Sequence, residues 1–143
     1  MDASFLDRFL KHIHENGRKD AEGNLVDPPV YENPPLEEDG EPTPIKIVLG
    51  LENGNVIRGH VVSAEQWFQI NTAGNFSAKR VDKEVVTVEG SWPAGVAYRP
   101  DDAERFSTIY LTMVEFLSGN QWVSGCSVGI KTDKVSYCGD QYL

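Results

Sequence analysis

Ile45-Lys-Ile-Val-Leu-Gly-Leu-Glu-Asn-Gly-Asn-Val-Ile-Arg-Gly-His-Val-Val-Ser-Ala-Glu-Gln-Trp-Phe-Gln-Ile70 is the stretch of this 143-residue chain whose reading decides the fold. Ile45, Ile47, Leu49 and Leu51 alternate with other residues, the period of a strand with one face on a core. Glu52-Asn-Gly-Asn55 comes next, and Asn53 and Gly54 tolerate the positive φ angles of a tight hairpin turn. A second strand is expected over 56–63, with Gly59 near its middle allowing the sharp bend of a small barrel wall. Residues 67–71 read as a third strand.

Working toward the C-terminus, residues 72–106 carry the weakest pattern. Within them, Glu84-Val-Val-Thr-Val-Glu89 has the β-branched content of a short strand and Gly90-Ser-Trp-Pro-Ala-Gly95 that of a turn region. Lys79, Arg80 and Lys83 are expected in a solvated loop, Trp92 and Tyr98 in a core or lid. Regular alternation resumes at Ser107, placing Ile109, Leu111 and Met113 on one face and Tyr110, Thr112 and Val114 on the other. A strand bent at Gly125 is expected over 121–130 and a last strand over 134–142. Five or six short strands after one helix fit a small, strongly bent antiparallel barrel.

Toward the N-terminus, Phe5, Leu6, Phe9, Leu10 and Ile13 fall on one stripe of an α-helix. Asp2 or Ser4 serves as its cap and Asn16-Gly17 as its stop. A helix of about 13 residues is marginal alone in water, so the stripe must be buried against the barrel, a second copy or a partner. Six of the eight prolines lie in the next segment, at 28, 29, 34, 35, 42 and 44, among eight acidic residues. Proline removes backbone donors and the carboxylates repel one another, so an acidic linker is expected, with Leu25, Val26, Val30 and Tyr31 as its docking residues. The organisation is therefore an amphipathic helix over 1–17, a linker over 18–44, and a barrel over 45–143 with a long insertion at 72–106.

The formal charge of −9 divides unevenly. Residues 17–44 hold eight acidic and two basic residues, a net −6, whereas residues 45–143 hold eleven and nine, a net −2. The barrel thus offers no broad basic field for a phosphate backbone, and the linker repels one. No run approaches a membrane span and no basic-then-apolar leader opens the chain, so a cytoplasmic protein is expected. Cys126 and Cys138 belong to no metal-binding pattern and are expected as a buried pair of free thiols. No Gly-x-Ser-x-Gly elbow, phosphate loop or His-Glu-x-x-His helix occurs, and His12 and His14 point apart on a helix. Neither catalytic residues nor a cofactor or metal are expected. The one conceivable constellation, Cys138 with His60 and Asp140, requires the last strand to pair with the second.

Two resemblances extend this reading. Asn53-Gly54-Asn-Val-Ile-Arg-Gly59, followed by Glu65, Phe68 and Gln69, resembles the first Sm motif, and Val135-Ser-Tyr137-Cys138-Gly139-Asp140 resembles the second. Glu65 and Gln69 are one methylene longer than the Asp and Asn of that family, and Cys138 stands where it has Arg. The resemblance therefore implies an Sm-like barrel whose RNA site is eroded. In addition, Gly54 to Phe68, with Ser63-Ala-x-x-Trp67-Phe68, and Tyr137-Cys-Gly-Asp140 are similar to the gas-vesicle accessory protein U family. That similarity covers about 35 residues and implies a cytoplasmic, non-catalytic protein that assists gas-vesicle formation or clustering through protein contacts. Expected partners are further copies of the chain in a homo-oligomer or ring, and vesicle shell or other accessory proteins, engaged through the helix residues Phe5, Leu6, Phe9, Leu10 and Ile13. The alternative is an Sm-like oligomer binding a nucleotide or other small ligand with Trp67, Phe68, Gln69 and Tyr137.

Overall fold

A computed structural model of the protein describes residues 2–71, 76–81, 84–90 and 99–139, with backbone alone for 76–81 and 84–90. In chain order the elements are α1 (Ala3–Glu15), β1 (Glu32–Asn33), β2 (Thr43–Leu51), β3 (Val56–Val62), α2 (Ala64–Asn71), β4 (Phe76–Val81), β5 (Glu84–Gly90), α3 (Asp102–Phe106), β6 (Thr108–Ser118), β7 (Gln121–Ser124), β8 (Val128–Lys131) and β9 (Val135–Gly139). One turn of 3-10 helix, Thr132–Lys134, precedes β9. The protein is mainly β.

Antiparallel pairing of β2 with β3 and of β3 with β6 makes the centre of a seven-stranded sheet. On the outer side of β2, β1 pairs at Thr43 and Pro44 and β9 pairs from Val48 to Leu51. On the outer side of β6, β8 pairs over Thr108–Leu111 and β7 over Glu115–Ser118. The sheet is not closed into a barrel. β4 and β5 form a separate two-stranded sheet inserted between β3 and β6.

The turn at Glu52-Asn-Gly-Asn55 forms as its composition dictates. Leu51 N–H donates to Asn55 O at 2.8 Å, and Gly54 takes φ +89°. β6 departs from simple alternation. His60 opposes Thr112 while Arg58 opposes Glu115, so β6 carries one extra residue there, and Met113 takes φ 53°. This bulge exchanges the two faces for the remainder of β6. Val114, expected opposite Ile109 and Leu111, instead joins them in the core, and Met113 does not.

α1 seals the core. Leu6, Leu10 and Ile13 pack with Ile47, Leu49, Ile57, Ile109 and Leu111, whereas Phe9 is half-buried and Phe5 is 51% exposed. The Asp2 carboxylate caps the helix by accepting from Ser4 N–H at 2.9 Å, and Asn16 closes it. The acidic segment is also drawn in. Arg18 N–H donates to Val30 O at 3.0 Å, Val30 and Tyr31 are buried, and β1 extends the sheet.

Four further expectations are corrected. Residues 67–71 belong to helix α2, not to a strand. The expected strand over 121–130 is two strands, β7 and β8, parted at Gly125, where the ring of Phe116 occupies the space a Cβ would take. Lys79 and Arg80, expected in a solvated loop, lie on strand β4, and α3 has no counterpart in the sequence reading although its signal is Asp101, whose carboxylate accepts from Glu104 N–H at 2.8 Å. Cys126 is exposed rather than buried, and only Cys138 packs against the core. Trp92, Tyr98, Lys83 and the expected strand beyond Gly139 lie outside the described residues.

Leu10→Ala should lower unfolding stability by about 2–5 kcal/mol, because it leaves a cavity under the helix. Phe5→Ala should stay within about 0.5 kcal/mol. Chemical denaturation measures both; equal, small effects would mean that α1 does not dock on its own sheet.

Candidate functional site

The motif glycines have architectural roles. At Gly54 only the positive φ demands glycine, since nothing lies within 4 Å of a Cβ placed there. At Gly59 a Cβ would stand 3.0 Å from Thr112 O and 3.3 Å from Leu111 Cβ, so its absence lets β3 close on β6 at the bulge.

Glu65, Trp67, Phe68 and Gln69 are carried by α2. The helix starts there because Ser63 Oγ accepts from Gln66 N–H at 3.1 Å and donates to Pro29 O at 2.7 Å. Ser63-Ala-Glu-Gln66 has the Ser-x-x-Gln spacing of a capping box, the sequence signal that outweighs the aromatic content of the stretch. Glu65 and Gln69, four apart, share one buried face at 4% and 2% exposure.

Around Glu65 four parts of the chain converge. Its Oε2 lies 3.3 Å from Arg105 Nη2 on α3, while Glu65 Oε1 and Arg105 Nε find no hydrogen-bond partner among the described residues. Tyr31 is near enough that, after burial, the Glu65 charge is the next cause raising its phenol well above the ordinary range. The Tyr31 hydroxyl is 2.9 Å from His14 Nδ1 on α1. His14 meets the rings of Tyr31 and Phe106 edge-on at 5.8 and 5.4 Å, and burial, then Arg105, lowers its pKa. Sequence reasoning singles out Glu65 as a motif position and Tyr31 only as a docking residue of the acidic segment; Arg105 and His14 come from segments distant in the chain. The cluster brings together a buried carboxylate, a guanidinium, a phenol and an imidazole, and it ties α1, α2 and α3 together.

The other motif side chains are not assembled into one pocket. Trp67 packs on Phe68 and Tyr110, with centroids 5.5 and 5.3 Å apart, beside Val62 at the end of β3. The ring of Tyr137 instead covers Gly50, which pairs with Val56 at the other end. Strand rise puts about 20 Å between those ends, so within one protomer Tyr137 does not join Trp67, Phe68 and Gln69. Cys138 and Gly139 pair with Leu49 and Val48 on β2. Because β2 stands between β9 and β3, Cys138 and His60 are two strands apart. Asp140 lies outside the described residues. Among the described residues no group of three His, Cys, Asp or Glu side chains is placed to hold a metal ion.

The chain has no significant match among protein families, curated proteins or solved structures.

His60 is 3% exposed, its Nδ1 finds no partner among the described residues, and burial, with Lys46 beside it, lowers its pKa to about 4. The unfolded chain takes up this proton near pH 6.5 and the folded chain only near pH 4. Stability contributed by neutral His60 is therefore complete above pH 6.5 and lost as pH falls to 4, a change on the order of 3 kcal/mol. Unfolding free energy measured from pH 7 to 4 should fall accordingly, and His60→Gln should flatten the curve.

Arg105→Met should cost about 3 kcal/mol by leaving Glu65 buried and unpaired. Adding Glu65→Leu should recover most of that loss. A double-mutant cycle with no coupling would show that the pair does not bind α3 to α2.

Proposed function

We propose that this chain is a non-catalytic, self-associating cytoplasmic protein that assists gas-vesicle formation or clustering through protein contacts. The observation that carries self-association is the open sheet. Among the described residues β7 and β8 pair only with β6, and β9 pairs only with β2, leaving an outer strand at each side. Each edge presents a large apolar side chain: Val123 of β7 is 50% exposed and Tyr137 of β9 is 52% exposed. Strand edges of this kind template pairing with another chain, and pairing β7 of one copy with β9 of the next would satisfy both.

The connectivity supports an Sm-like reading of this sheet. With the insertion set aside, β2, β3, β6, the β7–β8 pair and β9 are five successive strands, and the fourth and fifth are the edges. α1 precedes them, as expected for that architecture. The motifs at Gly54–Phe68 and Tyr137–Gly139 support the gas-vesicle reading, and the acidic segment argues against nucleic acid as the partner.

The β7 edge is held in place from behind. Arg58 bonds Glu115 at 3.0 Å and lies 4.0 Å over the Trp122 ring, so little ordering accompanies association. At micromolar concentrations sedimentation should give a mass several times 15.9 kDa, and Val123→Lys or Tyr137→Lys should lower it toward that value. A wild-type mass of 15.9 kDa would overturn self-association. Vesicle-forming cells lacking the protein should show dispersed or fewer vesicles, restored by the wild type and not by Val123→Lys; unaltered vesicles would overturn the gas-vesicle assignment separately.

A further inference from the structure

Asparagine is followed by glycine at two places in the sequence, Asn16-Gly17 and Asn53-Gly54. In such a pair the main-chain nitrogen of the second residue reaches the side-chain carbonyl carbon of the first most readily, because glycine has no Cβ to obstruct the approach and adopts backbone angles closed to other residues. The fold then decides which pair can react. Asn16 closes α1, and its Nδ2 donates to His12 O at 2.9 Å. Gly17 is buried, its N–H donates to His14 O at 3.2 Å, and a Cβ there would stand 3.0 Å from Val30 O. Attack at Asn16 therefore requires the end of α1 to open against the folded-back acidic segment.

Asn53 stands in the opposite situation. It is exposed together with Glu52, Gly54 and Asn55, and nothing lies within 4 Å of a Cβ placed on Gly54. Asn55 N–H donates to Asn53 Oδ1 at 3.0 Å, which bends the carboxamide across Gly54 and polarises its carbonyl. The attacking nitrogen is held by a bond to Leu51 O at 2.9 Å. That bond sits at a solvent-exposed turn tip, where local opening costs little.

We propose that Asn53 is a site of spontaneous modification, at which the β2–β3 turn ages from asparagine to isoaspartate and aspartate and loosens the seat of β9. Gly54 N bonds to Asn53 Cγ as its proton passes to water, the Cγ–Nδ2 bond breaks, and ammonia leaves with a proton from water. A succinimide ring remains. Water then opens it: cleavage between Gly54 N and the main-chain carbonyl carbon of residue 53 gives isoaspartate, and cleavage between Gly54 N and Cγ gives aspartate. In isoaspartate the main chain runs through Cβ and Cγ, one carbon longer than before. The turn then no longer closes Leu51 N–H on Asn55 O or Gly54 N–H on Leu51 O. The neighbouring Glu52 N–H donates to Lys134 O at 3.0 Å, and Leu51 pairs with Val135 where β9 begins. A lengthened turn thus reaches an outer strand of the sheet, whether or not that strand meets a second copy.

The test is to age the full-length protein at physiological temperature and mildly alkaline pH, and to follow both asparagines by peptide mapping with mass spectrometry. Isoaspartate-directed carboxyl methylation gives a second readout. In the folded protein Asn53 should convert about tenfold or more faster than Asn16, whereas in denaturant the two should convert at similar rates. Amide hydrogen exchange over residues 135–139 should rise with the aged fraction. Asn53→Gln, an exposed change whose longer side chain closes the ring far less readily, should show neither conversion nor the rise. Equal conversion at the two positions in the folded protein, faster conversion at Asn16, or conversion of Asn53 only in denaturant would overturn the site. Isoaspartate at 53 with unchanged exchange over 135–139 would overturn its effect on β9.

Discussion

The extra residue at Met113 is the constraint on which the rest of the sheet depends. It turns Val114 into the core beside Ile109 and Leu111, and it divides β6 into two lengths that face different outer neighbours. β8 pairs before the bulge and β7 after it, with Gly125 N–H donating to Val114 O at 2.9 Å where they part. Gly59 lies opposite, the residue whose missing Cβ leaves room for Thr112 O. A bulge increases local twist and bends the strand that carries it. Bent in this way, three central strands wrap far enough around Leu49, Ile57 and Leu111 for one short helix to cover what remains open.

That covering has a polar lock as well as an apolar one. Leu6, Leu10 and Ile13 supply the burial, and the Asp7 carboxylate, accepting from Thr132 Oγ1 at 2.7 Å, fixes the near end of the helix. At the far end His14 meets Tyr31, which lies next to the Glu65–Arg105 pair. The incomplete satisfaction of that pair limits what it adds to stability. Its directional contacts instead make α1, α2 and α3 agree on one arrangement. Tyr31 reaches this place only because the acidic segment folds back, with Arg18 N–H on Val30 O and the Arg18–Glu32 pair at 2.7 Å. A segment whose net charge predicts a solvated linker is held by two buried apolar residues and, among the described residues, by the Arg18–Glu32 pair and the longer Arg99–Asp27 contact at 3.6 Å.

The legible parts of the fold are those written in local pattern. Alternation from Ile45 to Leu51, the Asn53-Gly54 turn and the stripe from Phe5 to Ile13 each need only neighbours in the chain to be interpreted. The illegible parts depend on distant partners or on a competition between local signals. Trp67, Phe68 and Ile70 favour a strand by composition, yet the hydroxyl of Ser63 starts a helix and the aromatics then pack from its side. The bulge at Met113 has no glycine to announce it, so simple alternation misplaces Val114. Of the candidate site, Glu65 and Gln69 are visible through motif spacing. Arg105, Tyr31 and His14 are not placed beside it by the sequence, because the insertion, the acidic segment and α1 bring them in from 40, 34 and 51 residues away from Glu65.

These placements bear on where association can occur. An amphipathic helix offered to a partner must leave its stripe uncovered, and here α1 spends three of its five apolar residues on its own core. Phe5 at the helix start and the half-buried Phe9 are what is left. If the chain associates as proposed, the sheet edges rather than α1 are the surfaces left for it. On the proposed reading, β7 of one copy meets β9 of the next, so the surfaces in contact differ and the same step repeats around an axis. Such a heterologous contact closes into a ring if the rotation divides a full turn and grows into a filament if it does not. Each added copy also brings a segment of net charge −6, whose mutual repulsion rises with the number of copies. Edge pairing drives growth and the acidic segments oppose it, so the extent of assembly on this reading is a balance that ionic strength sets.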